Sequence, residues 1–190
     1  MSMRRVMADS FGAAFGLILS RRRAAGKTAQ RNHAEKGRAM TREEFCQTLW
    51  AAMVRRYTET PGLMATCLAL QDRHGVDVVL ALFLWLADAA GLSPTAAEAA
   101  ALQDAVQPWR QNVVLPLRGV RNWQKAHATA EAELAHRESV KALELQAERL
   151  ELDLLAQVFR TQSGGGQAAA RQYLQHLGAA PDLIAAFLAA

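Results

Sequence analysis

A stretch of ten consecutive apolar residues, Val78 to Ala87, constrains this sequence of 190 residues more than any other feature. The stretch is bracketed by Asp77 and Asp88 and has no polar face. A helix that is apolar on every side must be surrounded by protein, and ten residues are far fewer than the ~20 that cross a bilayer. We therefore predict that residues 77–90 form the central helix of a bundle. A buried strand is the alternative, and it is disfavoured because no second strand is available to pair with it.

The composition favours helices throughout the chain. Alanine and leucine, both strong helix formers, account for 39 and 25 residues, against 11 valines and two isoleucines. A strand-rich fold would need β-branched and aromatic residues instead. An apolar fraction of 51% with nearly balanced charges excludes wholesale disorder. The sequence therefore predicts an all-α helical bundle.

Charge and glycine content divide the chain into four parts. Residues 1–40 carry nine Lys and Arg against two acidic residues, a net +7, whereas the remainder carries 13 against 16, a net −3. We expect residues 1–40 to be a basic, disordered extension, followed by a helical core over residues 41–125. A long amphipathic helix is predicted over residues 126–162. The three consecutive glycines from Gly164 to Gly166 are predicted to be a flexible hinge in a helical hairpin over residues 163–190.

Helix boundaries are marked by caps and by helix-breaking residues. The pattern T-x-x-E occurs at Thr41 and again at Thr95, and each occurrence predicts a capping box at the start of a helix. Gly75 predicts a helix end. Pro108 and Pro116 are expected to interrupt the chain, because proline disrupts a helix interior, and residues 109–115 would then form a short turn or helical piece.

The long helix carries apolar residues on two faces. One line has the 3-4 spacing of a coiled-coil seam, and a second line occupies another face; their members are Val140, Leu143, Ala147, Leu150 and Leu154, and Leu145, Leu152 and Phe159. Such a helix needs partners on two sides. The terminal hairpin could fold back onto it or dock on another chain. Our first hypothesis is therefore a non-enzymatic module that binds another protein, or a second copy of itself, through residues 127–190.

Motifs for cofactor binding and catalysis are missing from the sequence. It contains neither a glycine-rich phosphate loop nor a C-x-x-C motif, and its five histidines are scattered. Glu133 and His136 form one Glu-x-x-His pair, whereas a di-iron bundle needs that motif twice, with further glutamates. We therefore predict no catalytic residue, no metal site and no cofactor; a non-enzymatic protein is favoured, and an enzyme is the alternative.

Polar residues crowd the ends of the second and third predicted helices and the segment around the two prolines. The arginines of this group could pair with Asp72 or Asp77, since the guanidinium fork matches a carboxylate. A structural lock between helices is one interpretation, and a site for a small anionic ligand, as a binder or an enzyme, is the other. The candidate residues are Gln71, Asp72, His74, Asp77, Trp109, Arg110, Arg118 and Arg121.

The basic extension and the cysteines bear on location. Residues 1–40 could contact nucleic acid or an anionic membrane surface, could be a targeting segment, or could lie outside the functional protein, because Met40 immediately precedes the first helix start. No segment is long and apolar enough to predict a transmembrane helix. Cys46 and Cys67 fall on apolar helix faces, which predicts buried, reduced thiols and a cytoplasmic location.

Several of these residues resemble a bacterial family of uncharacterised proteins, domain of unknown function 2390. The resemblance covers roughly residues 41–125. It implies a small, cytoplasmic, helical protein and no assigned activity. The residues that carry it are Trp50, Tyr57, Pro61 and Gly62, Cys67 to Asp72, Gly75 to Val78, Trp85, Trp109 and Arg110, and Pro116 to Arg118 with Arg121.

Overall fold

The computed structural model describes residues 40–161 and 168–190, and these residues form helices and no strand. The prediction of an all-α helical bundle is confirmed. The predicted extension over residues 1–40, apart from Met40, and the triglycine hinge lie outside the described residues. The helices are α1 (Arg42–Glu59), α2 (Leu63–His74), α3 (Val78–Ala89), α4 (Ala96–Trp109), α5 (Leu115–His127), α6 (Glu131–Val158), α7 (Ala169–His176) and α8 (Pro181–Ala189).

Helix α3 is the centre of the bundle, as the apolar run predicts. It contacts α1, α2, α4, α6 and α7, and the side chains from Val79 to Leu84 are all buried. Phe83 packs edge-on against Phe45 of α1 and against Phe159, with ring centroids 5.6 Å and 5.2 Å apart. The charge at the start of the apolar run has a structural role, because the Asp77 carboxylate accepts hydrogen bonds from the backbone N–H groups of Val79 and Leu80.

The terminal hairpin folds back into the bundle. Helix α7 packs on α3 and α4, and α8 packs on α2. Leu174 and Phe187 are fully buried in the same core as α3. Asp88, which ends the apolar run, accepts hydrogen bonds from the backbone N–H groups of Ala169 and Ala170 and so caps the start of α7. The apolar faces of α7 and α8 are therefore covered within the chain.

Most of the predicted helix boundaries agree with the structure. Capping boxes begin α1 at Thr41 and α4 at Thr95. Gly75 ends α2 with φ of +64°, a backbone conformation that glycine adopts without strain. The segment after residue 117 is a pair of helices, α5 and α6. None of the helices in residues 40–161 and 168–190 is long and apolar enough to span a membrane.

The predicted interruption at Pro108 and Pro116 is wrong, because helical structure runs through both prolines, whereas the short helical piece predicted between them is present. Arg110–Val114 forms a π-helical turn, in which Leu115 donates its backbone N–H to the carbonyl of Arg110. The wider turn lies directly before Pro116, whose ring would clash with the carbonyl four residues earlier in a regular helix. The Asn112 side chain donates a hydrogen bond of 2.7 Å to the carbonyl of Pro108.

The predicted seam of α6 is buried in part. Val140 and Ala147 are buried, whereas Leu143 and Leu150 are half exposed. The buried face of α6 does not follow the predicted seam, because it includes Glu144 in addition to Val140 and Ala147. The face that α6 presents to the bundle is therefore partly charged.

Candidate functional site

Arg110 lies at the start of the π turn and connects it to the beginning of α3. Its Nη1 atom lies 3.1 Å from Oδ1 of Asp77, and both side chains are less than a tenth exposed. Its Nη2 atom donates to the carbonyls of Gly75 and Val76, at 3.3 Å and 3.2 Å. One guanidinium group thus satisfies a carboxylate and two backbone carbonyls in a buried setting.

A second carboxyl group lies beside this ion pair. Glu151 of α6 is fully buried, and its pKa is raised to about 10 by burial, by a hydrogen bond with Asp77 and by the charge of Asp77. Two ionised carboxylates can only accept hydrogen bonds, and neither oxygen of Glu151 has a donor. We infer that Glu151 is protonated and that its carboxyl O–H donates a hydrogen bond to the Asp77 carboxylate. Tyr173 of α7 completes the group by accepting the backbone N–H of Asp77 at 3.1 Å.

The other two arginines pair with α6. Arg118 Nε lies 2.9 Å from Glu144 Oε1, and its Nη2 lies 2.6 Å from Glu148 Oε1. Arg121 forms a second ion pair with Glu144. Burial raises the pKa of Glu148, and the nearby Arg118 opposes this shift. These residues and the group at Asp77 form what we call the buried charge network, namely Asp77, Arg110, Arg118, Arg121, Glu144, Glu148 and Glu151. When Glu151 is protonated, the buried charge network contains three guanidinium groups and three carboxylates.

The structure brings together half of the predicted cluster. Asp77, Arg110, Arg118 and Arg121 are in the network. Trp109 lies next to it and donates its indole N–H to the carbonyl of Ala147 at 2.9 Å, which attaches α4 to α6.

The other three predicted residues lie along the end of α2. Asp72 is exposed, and Gln71 and His74 are partly buried. The structure does not bring their side chains to the network. For Arg118 and Arg121, the expected partner Asp72 is replaced by Glu144 and Glu148 of α6.

The sequence interpretation missed Glu144, Glu148, Glu151 and Tyr173. The three glutamates recur at positions i, i+4 and i+7, which places them on one helix face with the buried Val140 and Ala147. That spacing was available in the sequence. The spacing alone does not indicate burial, because a helix rich in glutamate is normally solvated.

A change at Glu151 tests its protonation. Between the ordinary pKa of 4.5 and the folded value of about 10, the folded chain holds a proton that the unfolded chain has released. The contribution of Glu151 to stability is therefore lost as pH rises through this range. The Glu151→Gln variant carries a neutral amide at every pH. We measure the free energy of unfolding in urea at pH 6 and at pH 9. Between these two values it should fall less for Glu151→Gln than for the unaltered chain. Equal falls would show that Glu151 is ionised in the folded protein.

The predicted Glu-x-x-His pair forms no metal site. The Glu133 carboxylate accepts the backbone N–H groups of Thr129 and Ala130 at the start of α6, and these bonds lower its pKa. The His136 ring nitrogen Nδ1 is hydrogen-bonded to the side chain of Gln124. Within the described part of the chain, no group of three or more His, Cys, Asp or Glu is arranged to hold a metal ion.

Helix α5 presents its apolar residues to solvent. Leu115, Val120 and Trp123 are 40%, 46% and 63% exposed. At 100° per residue they share one side of the helix with the exposed Pro116 and Gly119, and the opposite side carries Arg118 and Arg121. We call these five exposed residues, Leu115, Pro116, Gly119, Val120 and Trp123, the apolar face of α5. The usual orientation of an amphipathic helix is thus reversed, because the charged side faces the bundle.

Comparison with known proteins places the matched region over the same helices. The model of a family described as a protein of unknown function (DUF2390) matches residues 48–155. The match reaches 30 residues beyond the resemblance seen in the sequence and includes the buried charge network and the whole of α5. No curated protein and no solved structure matches the chain.

Proposed function

The chain belongs to the DUF2390 family of proteins of unknown function, and we propose that it acts by binding another protein chain through the apolar face of α5. The observation that carries this proposal is the reversed orientation of α5. Its ionic side is held against α6 by Arg118 and Arg121, and its apolar side is left uncovered by the described residues. Contiguous exposed apolar surface of this kind is typical of interaction sites.

The fold itself does not require these apolar residues. Trp123 stacks on the ring of His127, with centroids 4.6 Å apart, and remains 63% exposed. Tryptophan is enriched among the residues that dominate binding energy in protein interfaces. Because α5 is fastened through its charged side, its outer side is free to bind a partner without rearrangement of the core.

The proposal retains the hypothesis of a protein-binding module and changes its location. The hypothesis assigned the interaction to residues 127–190, but the apolar faces of α7 and α8 are buried within the chain. Helix α6 contributes one edge to the proposed surface. On this edge, Leu143 and Leu150 lie two turns apart and are each half exposed. The proposed surface is therefore the apolar face of α5, extended by this edge of α6.

A site for a small anionic ligand is the second candidate, and the geometry favours it less. Arg110 and Arg118 are paired with carboxylates and less than a tenth exposed. An anion would have to displace a buried carboxylate to reach either guanidinium group, which leaves that carboxylate unpaired. The network is better explained as the structural lock between α3, α5 and α6.

The remaining hypotheses concern location and the basic extension. We propose a cytoplasmic location, which is consistent with free thiols at Cys46 and Cys67; burial raises the pKa of both and so keeps them protonated. Contact of residues 1–40 with nucleic acid or an anionic membrane stays a prediction. It requires salt-dependent binding that is lost when residues 1–39 are removed.

The proposed function is tested by altering the outer side of α5. We expect the double variant Val120→Ser, Trp123→Ser to lose the partner chains that the unaltered protein captures, because both changes remove exposed apolar surface. The measurement is quantitative affinity capture, followed by titration of the purified captured chain by calorimetry, in which the Kd should rise at least about tenfold.

A matched control is Leu134→Ser, since Leu134 is also about half exposed but lies near the start of α6. This variant should bind as the unaltered chain does. Both variants should unfold at the temperature of the unaltered protein. Equal binding by the double variant and the unaltered protein would contradict the proposed function.

A further inference from the structure

The partner that best fits the apolar face of α5 is a second copy of the same face. Resting on the proposed function, we propose that two chains associate with α5 packed antiparallel to α5, about a twofold axis that passes through Gly119. Three features support this pairing: the spacing of the exposed residues, the position of the glycine and the charges around the face.

Two of the exposed apolar residues, Leu115 and Trp123, are placed symmetrically about Gly119. Leu115 lies four residues before it and Trp123 four residues after it, on the same side of the helix. An antiparallel twofold pairing places Trp123 of one chain opposite Leu115 of the other, and the reverse contact follows by symmetry. The largest exposed side chain thereby meets an apolar side chain at both ends of the contact.

Gly119 has no explanation within its own chain. It lies in the interior of a helix, where glycine is less stable than alanine, and its φ is not positive. A Cβ atom placed on it would meet nothing within 4 Å, so no intramolecular packing requires the absence of a side chain. A glycine at a helix crossing lets two backbones approach closely. The axis of the proposed pair passes through this position.

The charges around the face are compatible with self-association. None of its five residues is ionisable, so two copies meet without opposing like charges. His127, in the last turn of α5, comes opposite the π turn of the other chain. The exposed residues there are the amides Gln111 and Asn112, whose oxygens can accept a hydrogen bond from its ring.

The size of the contact sets the expected strength. Helix α5 has 13 residues and is therefore about 20 Å long, and a single helix pair of this length buries less area than a standard stable interface. We expect a reversible dimer that forms at micromolar concentration.

The position of the axis is tested by cross-linking the full chain. In a Cys46→Ser background, the Gly119→Cys variant places its new thiol next to its own counterpart, and we expect rapid formation of a disulfide-linked dimer under mild oxidation. The matched control is Lys125→Cys, which is also exposed on α5 but lies about 120° around the helix from Gly119. Equal cross-linking of both variants, or none at Gly119→Cys, overturns the proposal.

Association itself is measured by sedimentation velocity between about 1 and 100 µM, the range expected for a small interface. The Gly119→Gln variant should keep the fold, because a Cβ atom at this exposed position meets nothing within 4 Å, and its side chain blocks the close approach of two helices. We expect concentration-dependent dimerisation of the unaltered protein and a monomer for this variant. A monomer throughout for the unaltered protein overturns the dimer, and the proposed function still stands if capture of a different chain depends on Val120 and Trp123.

Discussion

The Arg110→Met variant is expected to lose about 3–5 kcal/mol of unfolding free energy, the usual cost of breaking a buried ion pair from one side. Methionine keeps much of the volume of the side chain but none of its donors. The Asp77 carboxylate and the carbonyls of Gly75 and Val76 would remain buried without the guanidinium group. Denaturation in urea, followed by circular dichroism, measures this loss.

The double variant Asp77→Asn, Arg110→Met is the control for the ionic part of the effect. Asparagine keeps a side-chain oxygen for the backbone N–H groups at the start of α3 and carries no charge. We therefore expect the double variant to be more stable than Arg110→Met alone. If Arg110→Met costs less than about 1 kcal/mol, the network does not lock the helices together.

The Phe187→Ala variant is expected to lose a similar amount, about 3–5 kcal/mol, because it empties a fully buried aromatic site in the core. This effect is large for a residue only three positions from the end of the sequence. Leu188→Ala, at a partly buried neighbouring position, should cost clearly less. Thermal and urea unfolding of both variants measure the difference. Equal and small losses would show that α8 is not part of the core.

The central helix could be predicted because its signal is local. Ten apolar residues in succession admit few environments, and the two flanking aspartates mark where the apolar stretch begins and ends. The structure gives both of them capping roles, for α3 at Asp77 and for α7 at Asp88. The capping boxes at Thr41 and Thr95 were predictable for the same reason, since all the interacting groups lie within four residues.

The pairing of Arg110 with Asp77 was among the predicted possibilities, whereas the partners of Arg118 and Arg121 could not be predicted, because they are distant in sequence. Arg118 and Glu144 are 26 residues apart, and Arg121 and Glu144 are 23 apart. A helical pattern shows which residues share a face but not which helix lies opposite. The charged side of α5 faces the bundle, which is contrary to the general rule that apolar faces turn inward. Hydrophobic periodicity alone therefore assigns the wrong side of α5 to the core.

The π turn has a consequence for the direction in which α5 faces. A π turn accommodates one more residue than regular α-helix would, and each residue corresponds to about 100° of rotation. Trp109 and Arg110 hold the preceding helix to Ala147 and Asp77. Deletion of one residue from 111–113 would therefore leave α4 in place and rotate α5, moving Trp123 away from its outward direction and Arg118 away from Glu144. This single irregular turn decides which side of α5 is inside.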